Sequence, residues 1–388
     1  MVKHIFLLWF GLCVLLSACM PQEVGRETIP SEEILFTSTA SEEKTPAELA
    51  SSTPTGTPSG INLTPIPTII FPIFVYLEGE VLMEQIGSNA PEHIIDLPES
   101  GPIKDAVLVG ETLHLLREQG IQRIRLSEGK SDILLRFDMP ILEGGMIFAA
   151  DYPRILYYAT ESTQETLIGY FGLDEDTVHP MPSLPQNFHI LGMTKDGQGL
   201  YGLPIGQDPE FGKVLLIDLE QGDIARELPI QGILFAALAP DARRLATFAQ
   251  RPDPSGRLES VIHLYDLPSL PLTLPRVFAL PNAPSYVGFG GLRWSPDSQR
   301  LYFMLIENIY EASATTSYGL WRLAVESGAT DQVAPISDPI FHMTSISPDG
   351  EWIVLMHETS DEAILVQLQT GEVQSFSVPV NAIVAGWR

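Results

Sequence analysis

Thiols are the first thing this chain has little of. Its 388 residues include two cysteines, Cys13 and Cys19, both within the first twenty positions. Beyond Cys19 there is no residue to make a disulfide, a thiolate zinc site or a cysteine nucleophile. Positive charge is scarce as well. Lys and Arg number 22 against 49 Asp and Glu, a formal net charge of −27. A field of that sign repels phosphate backbones, which argues against nucleic acid as a partner and fits a solvated acidic surface. The linear signatures of catalysis are missing too: no H-E-x-x-H, P-loop or G-x-S-x-G occurs. No cofactor is expected from the sequence, and an enzyme is less expected than a binding protein.

What is present begins at the amino terminus. Lys3 and His4 precede an apolar run from Ile5 to Leu16, which is too short to span a bilayer. Leu16-Ser17-Ala18-Cys19 follows at once. An aliphatic residue, two small ones and Cys after an apolar run resemble the lipobox of bacterial lipoproteins. The resemblance implies a signal peptide over 1–18 and lipid on Cys19, with Cys13 lost in the discarded peptide. It implies a chain anchored on the cell membrane or outer membrane, facing outside the cytoplasm. Acyl chains hold such a protein through buried methylene groups.

Over 19–69 the text turns to Ser, Thr, Pro and Glu without apolar periodicity, as in "RETIPSEEILFTSTASEEKTPAELASSTPTGTPSG". Such a segment buries too little to offset its ordering entropy, so a disordered tether is expected. From about Ile70 to Arg388 the reading is all-β.

The clearest organisation is a recurring polar knot. "RWSPDSQRLYF" (Arg293 to Phe303), "TSISPDGEWIVLMH" (Thr344 to His357), "AALAPDARRLATFA" (Ala236 to Ala249) and "GMTKDGQGLYGL" (Gly192 to Leu203) share one plan. An apolar approach leads to a turn around an Asp, then to an alternating apolar run. A fainter copy is "FAADYPRILYYA". The aligned residues Asp151, Asp196, Asp241, Asp297 and Asp349 fall 45 to 56 residues apart, near the period of four-stranded blades. A catalytic motif occurs once, whereas a recurring one is architecture. Ser-Pro-Asp-Gly is also a turn on physical grounds. Pro348 presets φ, Ser347 bonds locally, and Gly350 closes the turn without steric cost.

Each unit reads as four strands, with Gly222, Gly328 and Gly371 at the tips of a second hairpin. Six full units span about 103–138, 142–182, 187–229, 233–281, 286–335 and 340–378. Two fragments remain: "PIFVYLEGEVLMEQIGSNAPEHIIDLP" before the first unit, and "VNAIVAGWR" after the last. Together they make a seventh unit closed by both ends of the chain, which leaves only short protected edges. The expectation is a seven-bladed β-propeller. The knots at Trp294-Ser295-Pro296-Asp297 and Ser347-Pro348-Asp349-Gly350, each followed by a strand, resemble those of TolB-like, WD-related propellers. That resemblance covers roughly the last 300 residues. It implies the fold and suggests an envelope-complex role.

The remaining candidates are few. Asp174, Glu175, Asp176 and His179 cluster in "GLDEDTVHP", either as a solvated hairpin tip or as a Ca²⁺ site. His263, His342 and His357 sit in strand-like runs. Gly288, Gly290 and Gly291 are read as letting backbones crowd near the propeller axis. Trp294, Trp321, Trp352 and Trp387 recur at blade-core positions. The sequence thus favours a monomeric binding or scaffold module for a protein, peptide or glycan, held at the membrane through Cys19. The alternative is a propeller hydrolase or lyase, Ca²⁺-assisted, with acidic residues at the channel mouth.

Overall fold

The computed structural model describes residues 73–388, except 88, 99–100, 150–152, 161–165, 174, 182–187, 205–212, 229, 231–234, 253–257, 268–273, 281–286, 308–318, 337–340 and 358. Cys19, the segment 19–69, Asp151 and Asp174 therefore lie outside the described residues. So does the reading of 1–18 as a signal peptide. Among the described residues no helix is long and apolar enough to cross a membrane.

The amino-terminal fragment forms β1 (Ile73–Glu78), β2 (Val81–Ile86) and β3 (Glu92–Asp96). The first unit holds β4 (Ile103–Val109), β5 (Thr112–Arg117), β6 (Gly120–Arg125) and β7 (Lys130–Arg136). The second holds β8 (Glu143–Ala149), β9 (Arg154–Thr160), β10 (Thr166–Gly172) and β11 (His179–Pro180). In the third are β12 (Phe188–Met193), β13 (Gly199–Pro204), β14 (Val214–Asp218) and β15 (Ile224–Leu228). The fourth comprises β16 (Phe235–Leu238), β17 (Arg244–Pro252), β18 (Leu258–Asp266) and β19 (Arg276–Ala279). The fifth comprises β20 (Val287–Trp294), β21 (Arg300–Glu307), β22 (Gly319–Ala324) and β23 (Thr330–Pro335). The sixth has β24 (Phe341–Ile346), β25 (Trp352–His357), β26 (Glu362–Gln367) and β27 (Val373–Ser377), and β28 (Ile383–Trp387) ends the chain.

Six of these groups are consecutive four-stranded antiparallel sheets, and the seventh has the order β28-β1-β2-β3. The first strands of the sheets neighbour one another around a closed circle, β28 to β4, β8, β12, β16, β20, β24 and back to β28. This is a seven-bladed β-propeller, with β28 as the inner strand of the blade completed by the amino-terminal fragment. Closure rests on specific contacts. Phe74 pairs with Trp387 in the ladder, their rings 5.5 Å apart. The Arg388 amide donates to Ile73 O at 2.9 Å, and its guanidinium holds Glu111 at 2.8 Å.

Blade stacking explains the sequence pattern. A blade packs a neighbour on each face, so its middle strands are apolar throughout. All six residues of β25, "WIVLMH", are buried. The outermost strands meet water on one side and alternate, as in β27, "VQSFS". The apolar interior is accordingly divided into seven clusters, one between each pair of neighbouring blades. Leu301, Phe303 and Leu323 of the fifth blade, for example, meet Phe248, Ile262 and Leu264 of the fourth. Each such side chain, fully buried, stabilises the fold by about 1.5–3 kcal/mol.

Candidate functional site

The Asp knots come first, because they are the most conspicuous chemistry in the sequence. Each is the connection from the inner strand to the second strand of its blade. In the sixth blade the Gly350 amide donates to Ser347 O at 2.8 Å, closing the turn. Ser347 Oγ donates to Asp349 Oδ1 at 2.5 Å, and the Glu351 amide reaches the same oxygen at 3.0 Å. The Trp352 amide donates to Ser347 Oγ at 2.9 Å. Ser295 and Asp297 repeat the pattern at 2.5 Å, as do Thr194 and Asp196 at 2.6 Å. The bonds from Thr194 and from the Gln198 amide hold the Asp196 carboxyl below its usual range. Asp241 lacks a hydroxyl partner because Ala239 occupies that position, yet its Oδ1 still accepts the Arg243 amide at 3.0 Å.

The fourth knot position needs a left-handed backbone, with φ of 69° at Gly197 and 72° at Gly350. Two knots place a side chain there, Ala242 at 53° and Ser298 at 58°. Ser298 has a use for it: its Oγ accepts the Asp241 amide of the neighbouring blade at 3.1 Å. Ala242 has no such bond.

The tryptophans belong to the blades. Trp294 and Trp352 are buried, and Trp321 and Trp387 pack half-buried against the core. Trp294 Nε1 donates to Ala237 O at 2.9 Å across a blade boundary. The acidic hairpin tip is more than solvated charge. Asp176 Oδ1 lies 2.5 Å from Nη2 of the buried Arg123 in the preceding blade, and Arg123 Nη1 donates to Glu175 O at 3.2 Å. Glu175 Oε2 also meets His179 Nε2 at 3.1 Å. The Asp176 carboxylate thus joins two blades, while that of Glu175 bonds within its own hairpin, to His179 and the Gly172 amide. Among the described residues no three His, Cys, Asp or Glu side chains gather as a metal-ligand set.

The site that sequence reading missed lies on the axis. A cavity of about 440 Å³ is lined from six of the seven inner strands and from β9. Its polar members are Asp105 (β4), Tyr158 (β9), His189 (β12), Arg293 (β20) and Thr344 and Ser345 (β24). Five inner strands carry one extra residue against their partner, with register shifts at Ile103/Asp105, Ile190/Gly192, Phe289/Leu292, Met343/Ser345 and opposite Val75/Tyr76. Such bulges bend a strand and re-aim its side chains. Three of them hold a glycine at positive φ: Gly192 at 149°, Gly291 at 107° and Gly386 at 139°. Crowding is not the reason for Gly291, where an added Cβ would find only Met343 Cε at 3.8 Å. The conformation is what demands glycine there.

Burial shapes the ionisation of these groups. Asp105 is pushed up to about 6, because burial outweighs the amides of Met146 and Ala106 that donate to it at 2.6 and 2.8 Å. Tyr158 is pushed up to about 12 by burial and by the charges of Asp105 and Glu143. Its ring lies against Gly145, where a Cβ would approach ring atoms to 2.7 Å. His189 is lowered by burial and then by Arg293. Burial also lowers Arg293, although both side chains are open to the water of the cavity. A cavity deep in the ring surrounds a wetted group with low-dielectric protein.

No family model matches the sequence, and no curated protein matches it. Solved structures do. Hydrazine synthase of Kuenenia stuttgartiensis is 11% identical, with a TM-score of 0.50 over 69% of this chain and 76% of that one. TolB from Acinetobacter baumannii is 15% identical, with a TM-score of 0.41 over 70% and 67%. The Cps50 (Swd1) β-propeller domain of Myceliophteria thermophila is 13% identical, with a TM-score of 0.43 over 77% and 94%. At such identities the likeness is one of fold, and propellers host many unrelated activities.

Proposed function

We propose that this chain is a lipid-anchored, extracytoplasmic binding module whose propeller engages a protein, peptide or glycan. One observation carries the reading. The repeated Asp motif, the most prominent polar chemistry of the chain, is consumed within its own turns. What the repeats build is a rigid closed ring, a scaffold on which surfaces do the work. Lipid on Cys19 would hold it outside the cytoplasm, with 19–69 as the tether. The test has two arms. Cys19→Ser abolishes lipid labelling and moves the protein out of the membrane fraction; a mutant that keeps the label sinks the anchor. In-cell crosslinking followed by purification from envelope extracts yields a stoichiometric partner; recovery of the monomer alone sinks the binding module.

A second reading, an enzyme, is favoured by a different observation: Asp105, Tyr158 and His189 share one cavity and all three have displaced pKa values. Ca²⁺ assistance finds little support there, since Asp105 is the sole carboxylate among the lining residues and Ca²⁺ takes six to eight oxygens. Hydrolytic turnover of a small ester or glycoside that disappears in Asp105→Asn would favour the enzyme over the binder.

A further inference from the structure

In a protein with more than two carboxylates for each cation, the deeply set arginines find anions within the fold. Arg117 is held by Glu80 through two bonds of 2.8 Å. Arg123 meets Asp132 and Asp176, and Arg322 meets Asp331 at 2.6 Å. Arg293 differs. It lines the axial cavity, and among the described residues no carboxylate lies within ion-pair distance of it. Among the described residues its one acceptor is Leu292 O, at 3.2 Å from Nη1. A guanidinium has five N–H donors, so four are without an acceptor among the described residues. Asp105 lines the same cavity but forms no ion pair with Arg293; its two oxygens accept the amides of Ala106 and Met146.

The placement is built. The bulge at Gly290 and Gly291, three and two residues earlier on β20, re-aims the strand just before Arg293, and Gly291 permits it through its φ of 107°. The surrounding wall offers further donors. Ser345 Oγ accepts the Trp387 indole N–H at 2.8 Å, which leaves its own proton free to donate. Tyr158 stays protonated throughout the neutral range, since burial raises it to about 12. His189 lines the same cavity, and the Arg293 charge adds to burial in lowering it. The cavity, about 440 Å³, is within the range that encloses a small organic molecule.

We propose that Arg293 anchors a small-ligand site in the axial cavity, taking the oxyanion group of a carboxylate- or phosphate-bearing small molecule with Tyr158, His189 and Ser345 as its polar wall. The guanidinium fork matches either oxyanion bidentately. This site is independent of the partner-binding reading: a chain that captures its envelope partner but no small anion refutes the one and leaves the other.

The experiment is calorimetric titration of the full-length protein in detergent at low ionic strength and neutral pH. The probes are glucuronate, glucose 6-phosphate and glucose. Saturable one-to-one binding of glucuronate or glucose 6-phosphate, with none of glucose, is expected; which of the two binds tells carboxylate from phosphate. Arg293→Gln weakens that binding at least tenfold, and Arg293→Lys, which keeps the charge but loses the fork, weakens it less. A second measurement needs no variant. Phenylglyoxal modifies Arg293 in the wild-type protein, read by peptide mass, and the bound probe protects it. The proposal is overturned if no probe binds, if glucose binds as well as the anions, if Arg293→Gln binds like the wild type, or if a saturating probe leaves Arg293 unprotected.

Discussion

The knots and the axial cavity both draw on inner strands, β12, β20 and β24 serving both, yet they are made in opposite ways. A knot satisfies itself from within a few residues: Ser295 bonds Asp297 and Arg300, two and five positions on. The axial cavity draws Asp105, His189 and Arg293 from three blades, with nearly two hundred positions between the first and the last. Local bonds make the knot a fixed turn, and where a knot residue reaches further, as Ser298 does, it meets the next knot. Distant strands meeting at an axis leave Arg293 without a carboxylate partner among the described residues. Repetition therefore marks architecture here, and the irregular residues beside the repeats mark the place where a ligand fits.

The largest effect expected from breaking this arrangement is at closure. Removing Val380 to Arg388 deletes β28, exposes the edge of β1, and takes Val384, Ala385 and Gly386 from the cavity wall. Aggregation or failure to fold is the expected result in size-exclusion chromatography. A monomer that melts like the full chain would show the ring to be held elsewhere.

Next in size is a pH effect in the first blade. His114 is buried against Phe171, their rings 5.2 Å apart, and burial followed by the Arg123 charge lowers it to about 4. Because its folded value lies below its ordinary 6.5, the unfolded chain takes up the proton first as pH falls. The contribution is whole above about 6.5 and is lost toward 4, of the order of 3 kcal/mol in all. His114→Leu flattens that part of the acid denaturation curve. An unchanged curve would mean that His114 is not the group that titrates.

Smaller changes probe the knots. Asp349→Ala loses local bonds to Ser347 and Glu351 and costs about 1 kcal/mol in thermal melting. Binding of any ligand at the axis stays as in the wild type; a loss of affinity at constant melting temperature would move the knot from scaffold to site. The smallest effect runs the other way. Ala242→Gly relieves a left-handed alanine and raises stability by about 0.5 kcal/mol, since relief of the backbone strain exceeds the added chain entropy. The same change at Ser298 loses a bond to the next knot and brings no such gain.

Much of the fold was legible because it is locally encoded. Turn chemistry at Ser347-Pro348-Asp349-Gly350, Gly at the tips of 222, 328 and 371, and apolar runs between them define units whose limits agree with the strands within a few residues. Even the shared blade was readable, since "VNAIVAGWR" looks like an inner strand without a blade. Gly291 was located correctly but for the wrong reason, because its place in the bulge is a matter of φ and register rather than of room.

By itself, then, the sequence determined the repeat, the turns, the blade count and the scarcity of thiols and cations, because each depends on residues close along the chain or on simple composition. Only the tertiary structure decided that Asp105, His189 and Arg293 share a cavity, that Asp176 reaches a buried arginine of the preceding blade, and that Arg293 has no carboxylate among the described residues. The physical reason is closure. Seven inner strands converge only when the ring is complete, and the charge on one blade acquires its surroundings from the others.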